Sequence, residues 1–122
     1  MSLGLGGCGG ENRGEVAGQV TLDGQPVDGG EIRFLPNVGL PSRARIANGQ
    51  YTIPKATGPS VGPVRVEITW VRKTGRKVTD MIPGPMIDET TQCIPERYNR
   101  NSELEVEIQP GTNRHDFELK SK

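Results

Sequence analysis

Residues 16 to 34 read VAGQVTLDGQPVDGGEIRF, from Val16 to Phe34. Val16, Gly18, Val20 and Leu22 fall on one side of a period-2 alternation, and Ala17, Gln19 and Thr21 on the other, the pattern of a half-buried strand. Asp23-Gly24 supplies the left-handed conformation that a short reversal needs. Ile32 and Phe34 continue the inward face on a second strand, and Pro36 ends it because proline cannot donate to a ladder. The expectation is a β-hairpin to which the later strands are added.

Three further alternations follow. Ala44 and Ile46 lead through Asn48-Gly49 to Tyr51 and Ile53, and Asn-Gly between alternating runs is the strongest short-range hairpin signal. Val64, Val66, Ile68 and Trp70 alternate with Arg65, Glu67 and Thr69, the cleanest strand of the chain and the one expected at the centre. Leu104, Val106 and Ile108 alternate with Glu103, Glu105 and Glu107, Pro110-Gly111 turns the chain, and Phe117 and Leu119 finish an inward face, so a closing hairpin is expected. Between Arg72 and Gln92 no periodicity is visible. Arg72, Lys73, Arg76 and Lys77 surround Thr74-Gly75 like a solvated hairpin tip, and the segment 72–92 is read as an irregular loop, the kind of feature that carries function.

Composition agrees with many short strands. The 122 residues include 17 Gly and 10 Pro, only 32% are apolar, and one modest core is all that such a chain can bury. Fifteen Lys and Arg balance fifteen Asp and Glu, so no net field draws the chain to nucleic acid. No apolar run approaches the ~20 residues of a spanning helix, and the folded part is expected to be soluble. The organisation expected is a flexible Gly-rich leader over 1–14 and a single domain over 15–120, an all-β, seven-stranded antiparallel Greek-key β-sandwich.

Leu5-Gly6-Gly7-Cys8 has the form of a bacterial lipobox, and the leader reads as trimmed near its cleavage site. Cys8 is therefore the expected lipidation site, with the membrane as its partner and the cell envelope, periplasmic or surface-facing, as its location. Cys93 is the one other cysteine, and lipidation of Cys8 removes the thiol that a disulfide would need.

GQVTLDGQPVDGGEIRF resembles the opening of carboxypeptidase regulatory-like (transthyretin-like, prealbumin-like) domains, G-x-V-x-x-x-G-x-P-x-x-G-x-x-V/I. Asn48-Gly49-Gln50-Tyr51 is similar to their D/N-G-x-Y hairpin. The tail, with Met86-Ile87-Asp88-Glu89, Ile94-Pro95-Glu96-Arg97-Tyr98-Asn99, Ser102-Glu103-Leu104 and Phe117-Glu118-Leu119, resembles small envelope lipoproteins common in planctomycete bacteria. The resemblance covers residues 8 to 120 and implies a transthyretin-like sandwich on a lipid anchor, in a group generally without assigned biochemical function.

Catalytic chemistry finds no support in the residues. The transthyretin-related hydrolases that open 5-hydroxyisourate use several histidines and a terminal Tyr-Arg-Gly-Ser, whereas this chain has His115 alone and ends Lys120-Ser121-Lys122. Intradiol dioxygenases of similar architecture hold iron with two tyrosines and two histidines, and here the total is Tyr51, Tyr98 and His115. A blue-copper set fails for the same reason. His115 and Asp116 are adjacent on a strand and point apart, with no G-x-S-x-G elbow to complete a triad, so His115 is read as a satisfied inward residue. Asp23 and Asp28, or Asp80, Asp88 and Glu89, lack the spacing of a calcium loop, and the first pair reads as turn formers that cap their own backbone. No enzyme activity, cofactor or metal is expected. What remains is an adhesive or accessory module meeting an unknown envelope protein, with Met81 and Met86 in the contact loop. The alternative is a small-ligand or glycan module using Trp70 and Tyr98.

Overall fold

The computed structural model describes residues 13–79 and 81–122. Cys8 and Asp80 therefore lie outside the described residues. Among the described residues eleven strands follow one another: β1 (Gly14–Leu22), β2 (Gln25–Pro26), β3 (Glu31–Pro36), β4 (Ser42–Arg45), β5 (Gln50–Ile53), β6 (Gly62–Thr69), β7 (Val71–Val78), β8 (Ile87–Gln92), β9 (Glu105–Ile108), β10 (Gly111–Arg114) and β11 (Phe117–Leu119). Two short 3-10 turns, Lys55–Thr57 and Glu96–Tyr98, interrupt them. The architecture is all-β and sandwich-like.

The first sheet has the order β9-β6-β3-β4, antiparallel throughout, and β6 is central as its alternation predicts. The second is built on β1. β5 runs antiparallel along one side of it, while β10 and β11 run parallel along the other, in one continuous register broken only at His115 and Asp116. At that break the β1 backbone approaches so closely that a Cβ on Gly18 would strike the His115 carbonyl, and glycine is the residue that fits. The Asp116 carboxylate takes over the missing ladder contact, accepting the Gln19 N–H at 2.8 Å.

Inward residues of both sheets form one core. Val16, Val20, Tyr51, Ile53, Phe117 and Leu119 face Ile32, Phe34, Val64, Val66, Ile68 and Ile108, with Val27, Ile46 and Ile94 closing the ends. The Tyr51 ring sits between Phe34, 5.8 Å away between centroids, and Phe117, at 6.5 Å. Burial pushes its phenol far above the usual value, and its O–H donates to the His115 carbonyl at 2.7 Å.

Three expected hairpins are corrected. β1 and β3 do not pair: β1 lies in the second sheet and β3 in the first. The Asp23-Gly24 turn joins β1 only to the two-residue β2, after which Val27 enters the core and the chain crosses over. β9 and β10 likewise belong to opposite sheets, linked by Pro110-Gly111 and pinned by Asn113, whose side chain bonds Gln109 through both its oxygen and its amide. Asn48 and Gly49 do make a tight left-handed turn (φ 54° and 77°), closed by the Ala47–Gln50 bridge, but β4 and β5 then diverge to different sheets. The chain crosses from one sheet to the other between β2 and β3, between β4 and β5 and between β9 and β10, and each of these connections is an arch over the core. In an arch, strands face one another through their side chains and not through backbone hydrogen bonds, and the period-2 pattern is the same in both cases.

The segment 72–92 is corrected in the other direction. It is a real hairpin, with β7 paired antiparallel to β8 from Val71↔Gln92 to Val78↔Ile87. Thr74-Gly75 is no tip: it lies where the register shifts, between Lys73 and Lys77.

Candidate functional site

β7 leaves the sandwich at the end of the central strand, and every one of its residues from Val71 to Lys77 is exposed. Among the described residues no other strand shares a sheet with β7 and β8. The pair is a projecting arm, and its stem is charged. Lys73 and Lys77 each reach a carboxylate oxygen of Asp88 at 3.0 Å, Arg76 approaches Glu89 at 3.8 Å, and the Thr74 hydroxyl donates to Glu89 at 2.9 Å. Hydrogen bonds from Lys77 and then Lys73 hold the Asp88 carboxyl below its ordinary value. Asp88 and Glu89 thus serve as the cross-strand partners of the cations.

Toward the far end the arm becomes apolar. Met81, Ile82, Met86 and Ile87 are all exposed, Ile82 by 90%, and Met81, Pro85 and Ile87 line a shallow hollow with Thr79. The two sequence-predicted methionines are therefore brought to one place. A two-stranded ribbon with neither face on a core is marginal by itself in water. Such a ribbon with a bare apolar end is suited to being covered by something else.

Trp70 stands at the base. It is half-buried against the core, its Nε1–H donates to the Asp28 carbonyl at 3.0 Å, its N–H donates to Gln92 Oε1 at 2.7 Å and its carbonyl accepts the Cys93 N–H at 2.9 Å. The Arg72 guanidinium lies over the ring, 4.9 Å from the centroid. Trp70 is thus the clasp that gathers both roots of the arm. Cys93, at the returning root, is a free thiol.

Tyr98 is placed elsewhere. Its hydroxyl accepts the Lys120 N–H at 3.1 Å, which lowers its pKa, and Arg97 stacks over it at 4.8 Å while donating to the carbonyls of Lys120 and Lys122. Together they fasten the C-terminal tail. The tail is also held by Asp23, whose carboxylate accepts from the Ser121 hydroxyl at 2.6 Å and the Ser121 N–H at 3.0 Å, and these bonds depress its pKa. The Asp23 side chain therefore caps the tail and not its own turn. Asp28 accepts the Asn48 N–H at 3.0 Å, so it too bonds outside its own turn.

His115 departs from the sequence reading. It is half-buried, but Nε2 is shut away without a hydrogen-bond partner, so the residue is not satisfied. Among the described residues no group of three His, Cys, Asp or Glu is arranged to hold a metal ion. No described helix is long and apolar enough to cross a membrane.

The poles of the sandwich are defined by β6, eight residues or about 25 Å long. Arg13 bridges to Ser60 and the Gly14 N–H donates to the Pro59 carbonyl, so the chain enters beside the start of β6. The arm leaves at its end. The sequence signal that could have revealed the arm is the complementary charge of Arg72-Lys73-Thr74-Gly75-Arg76-Lys77 and Asp88-Glu89 flanking Pro83-Gly84-Pro85. Comparison with family models, curated proteins and solved structures finds no match to this chain.

Proposed function

We propose that the protein is a non-enzymatic interaction module of the cell envelope, tethered by a lipid on Cys8, that meets a partner protein through the apolar end of the arm. One observation carries this reading. The described chain enters at one pole of the sandwich and the arm projects from the other, so a tether preceding residue 13 leaves Met81, Ile82, Met86 and Ile87 on the side away from the attached surface. The lipobox form of Leu5-Gly6-Gly7-Cys8 supports the tether. Trp70 Nε1 and the Tyr98 hydroxyl are already engaged within the chain, which favours a protein contact on the arm over a glycan platform built on those two rings.

The transthyretin-like, Greek-key assignment belongs to the same proposal. With β10 and β11 counted as one interrupted strand, and β2 and the arm set aside, the first sheet contributes four strands and the second three, the seven expected of that family.

The test is site-specific photo-crosslinking in intact cells, with the reactive group at position 86 or, as a control, at position 52 on the outer side of β5. A discrete adduct from 86 alone, abolished by serine at Met81, Ile82 and Ile87, is expected. Equal adducts from both positions would refute the arm as the contact. Metabolic labelling with a fatty acid, lost in Cys8→Ser, checks the tether.

A further inference from the structure

The first sheet ends in two edges of opposite charge. β4 carries Arg43 and Arg45, and β9 carries Glu105 and Glu107; all four are exposed, alternating with inward-facing neighbours. The Ile46 N–H donates to the Gly30 carbonyl and the Val66 N–H to that of Leu104. Counting by twos along each antiparallel ladder, Ser42 and Ala44 of β4, and Val106 and Ile108 of β9, turn their backbone groups into the sheet. The backbone groups of Arg43, Arg45, Glu105 and Glu107 consequently face out of it. Pro63, which has no N–H to offer, stands opposite Glu107, as this alternation requires. The four residues that carry the charge are those that present open donors and acceptors.

Strand direction then decides how two edges can meet. The sheet has four strands, antiparallel throughout, so a second copy placed beside the first sets its β9 antiparallel to the first copy's β4. Directly opposed residues in such a ladder send their side chains to the same face. In one register Arg45 meets Glu105 of the next copy and Arg43 meets its Glu107. The symmetric alternatives, β4 on β4 or β9 on β9, oppose Arg with Arg or Glu with Glu and are disfavoured. Within the chain Arg43 makes only a 3.9 Å approach to Glu31, so the charges are not already spent.

We propose that β4 and β9 are complementary docking edges through which copies of this chain associate head to tail by strand addition. This goes beyond the arm and does not depend on the tether. Because the two surfaces differ, the association is heterologous and open, giving a concentration-dependent series and not a closed dimer.

The experiment is sedimentation velocity on the whole chain over roughly 10 μM to 1 mM, at low salt and at about 0.5 M salt, where exposed charge pairs are screened. The wild type is expected to shift to larger species with concentration at low salt and to lose that shift at high salt. R43E/R45E alone and E105R/E107R alone should remain monomeric, with unchanged circular dichroism. Mixed one to one, the two variants should associate again, since each then offers the edge that the other lacks. A monomeric wild type throughout, association retained by either variant alone, or a mixture that stays monomeric would each overturn the proposal.

Discussion

β6 and β7 are both eight residues long and only Trp70 separates them, yet they are opposite kinds of strand. β6 is central in a four-stranded sheet, with Val64, Val66 and Ile68 buried and a bonded neighbour on each side. β7 has one neighbour, no buried residue and a register shift in its middle. The backbone path is nearly continuous, so the change in character comes from what the side chains meet. The sandwich is held by apolar burial, which is insensitive to salt and pH. The arm is held by cross-strand ion pairs and by its clasp, both of which yield to solvent conditions.

Substitutions should separate the two regions. Phe34→Ala removes a fully buried ring that touches Tyr51 and is expected to cost about 3–5 kcal/mol in urea unfolding; a loss under about 1 kcal/mol would break the picture of a single shared core. Gly18→Ala drives a Cβ into the His115 carbonyl and should cost about 1–3 kcal/mol, with increased hydrogen exchange along β10 and β11. Trp70→Ala loses the bond to Asp28 and part of the core contact, about 1–2 kcal/mol, and its diagnostic effect is faster exchange throughout the arm while β1 and β6 amides stay protected.

Acid should then loosen the arm before the sandwich. The folded pKa of Asp88 lies below its ordinary 3.8, so its contribution is fully present above that value and is lost as pH falls through the lowered folded pKa. Exchange protection of β7 and β8 is expected to fall below pH 3.8, and Asp88→Asn should show that loss already at neutral pH. The smallest effect is expected from replacing 72–91 with a short Gly-Ser turn, which should leave the unfolding free energy within about 0.5 kcal/mol of the parent. A large loss there would mean that the arm is part of the fold.

Much of the sandwich was legible in the sequence. The inward parity of Val16 and Val20, Ile32 and Phe34, Tyr51 and Ile53, and Val64, Val66 and Ile68 is the parity of the core. β6 was recognisable as central because its alternation is the longest. The site was less legible. The sequence singles out Met81 and Met86, which are exposed together at the end of the arm, but a strand exposed on both faces has no hydrophobic period to report, so the ladder between Arg72–Lys77 and Asp88–Glu89 has the sequence character of a loop. Trp70 and Tyr98 stand out in the sequence for their rings, and the structure uses them as fasteners, one for the arm and one for the tail. Nothing local in the sequence indicates that Asp23 binds Ser121, because the two are 98 residues apart.

By itself the sequence determined which residues turn inward, where the chain reverses and that the class is all-β, because burial and turn conformation are properties of a few neighbouring residues. The tertiary structure alone decided which strands pair. A reversal can close a ladder within one sheet or arch across the core to the other, and inward side chains alternate identically in both. Only the packing of Phe34 against Tyr51, the approach of β1 to His115 at Gly18 and the clasp of Trp70 on Asp28 and Gln92 resolve that choice, and these are contacts between distant parts of the chain.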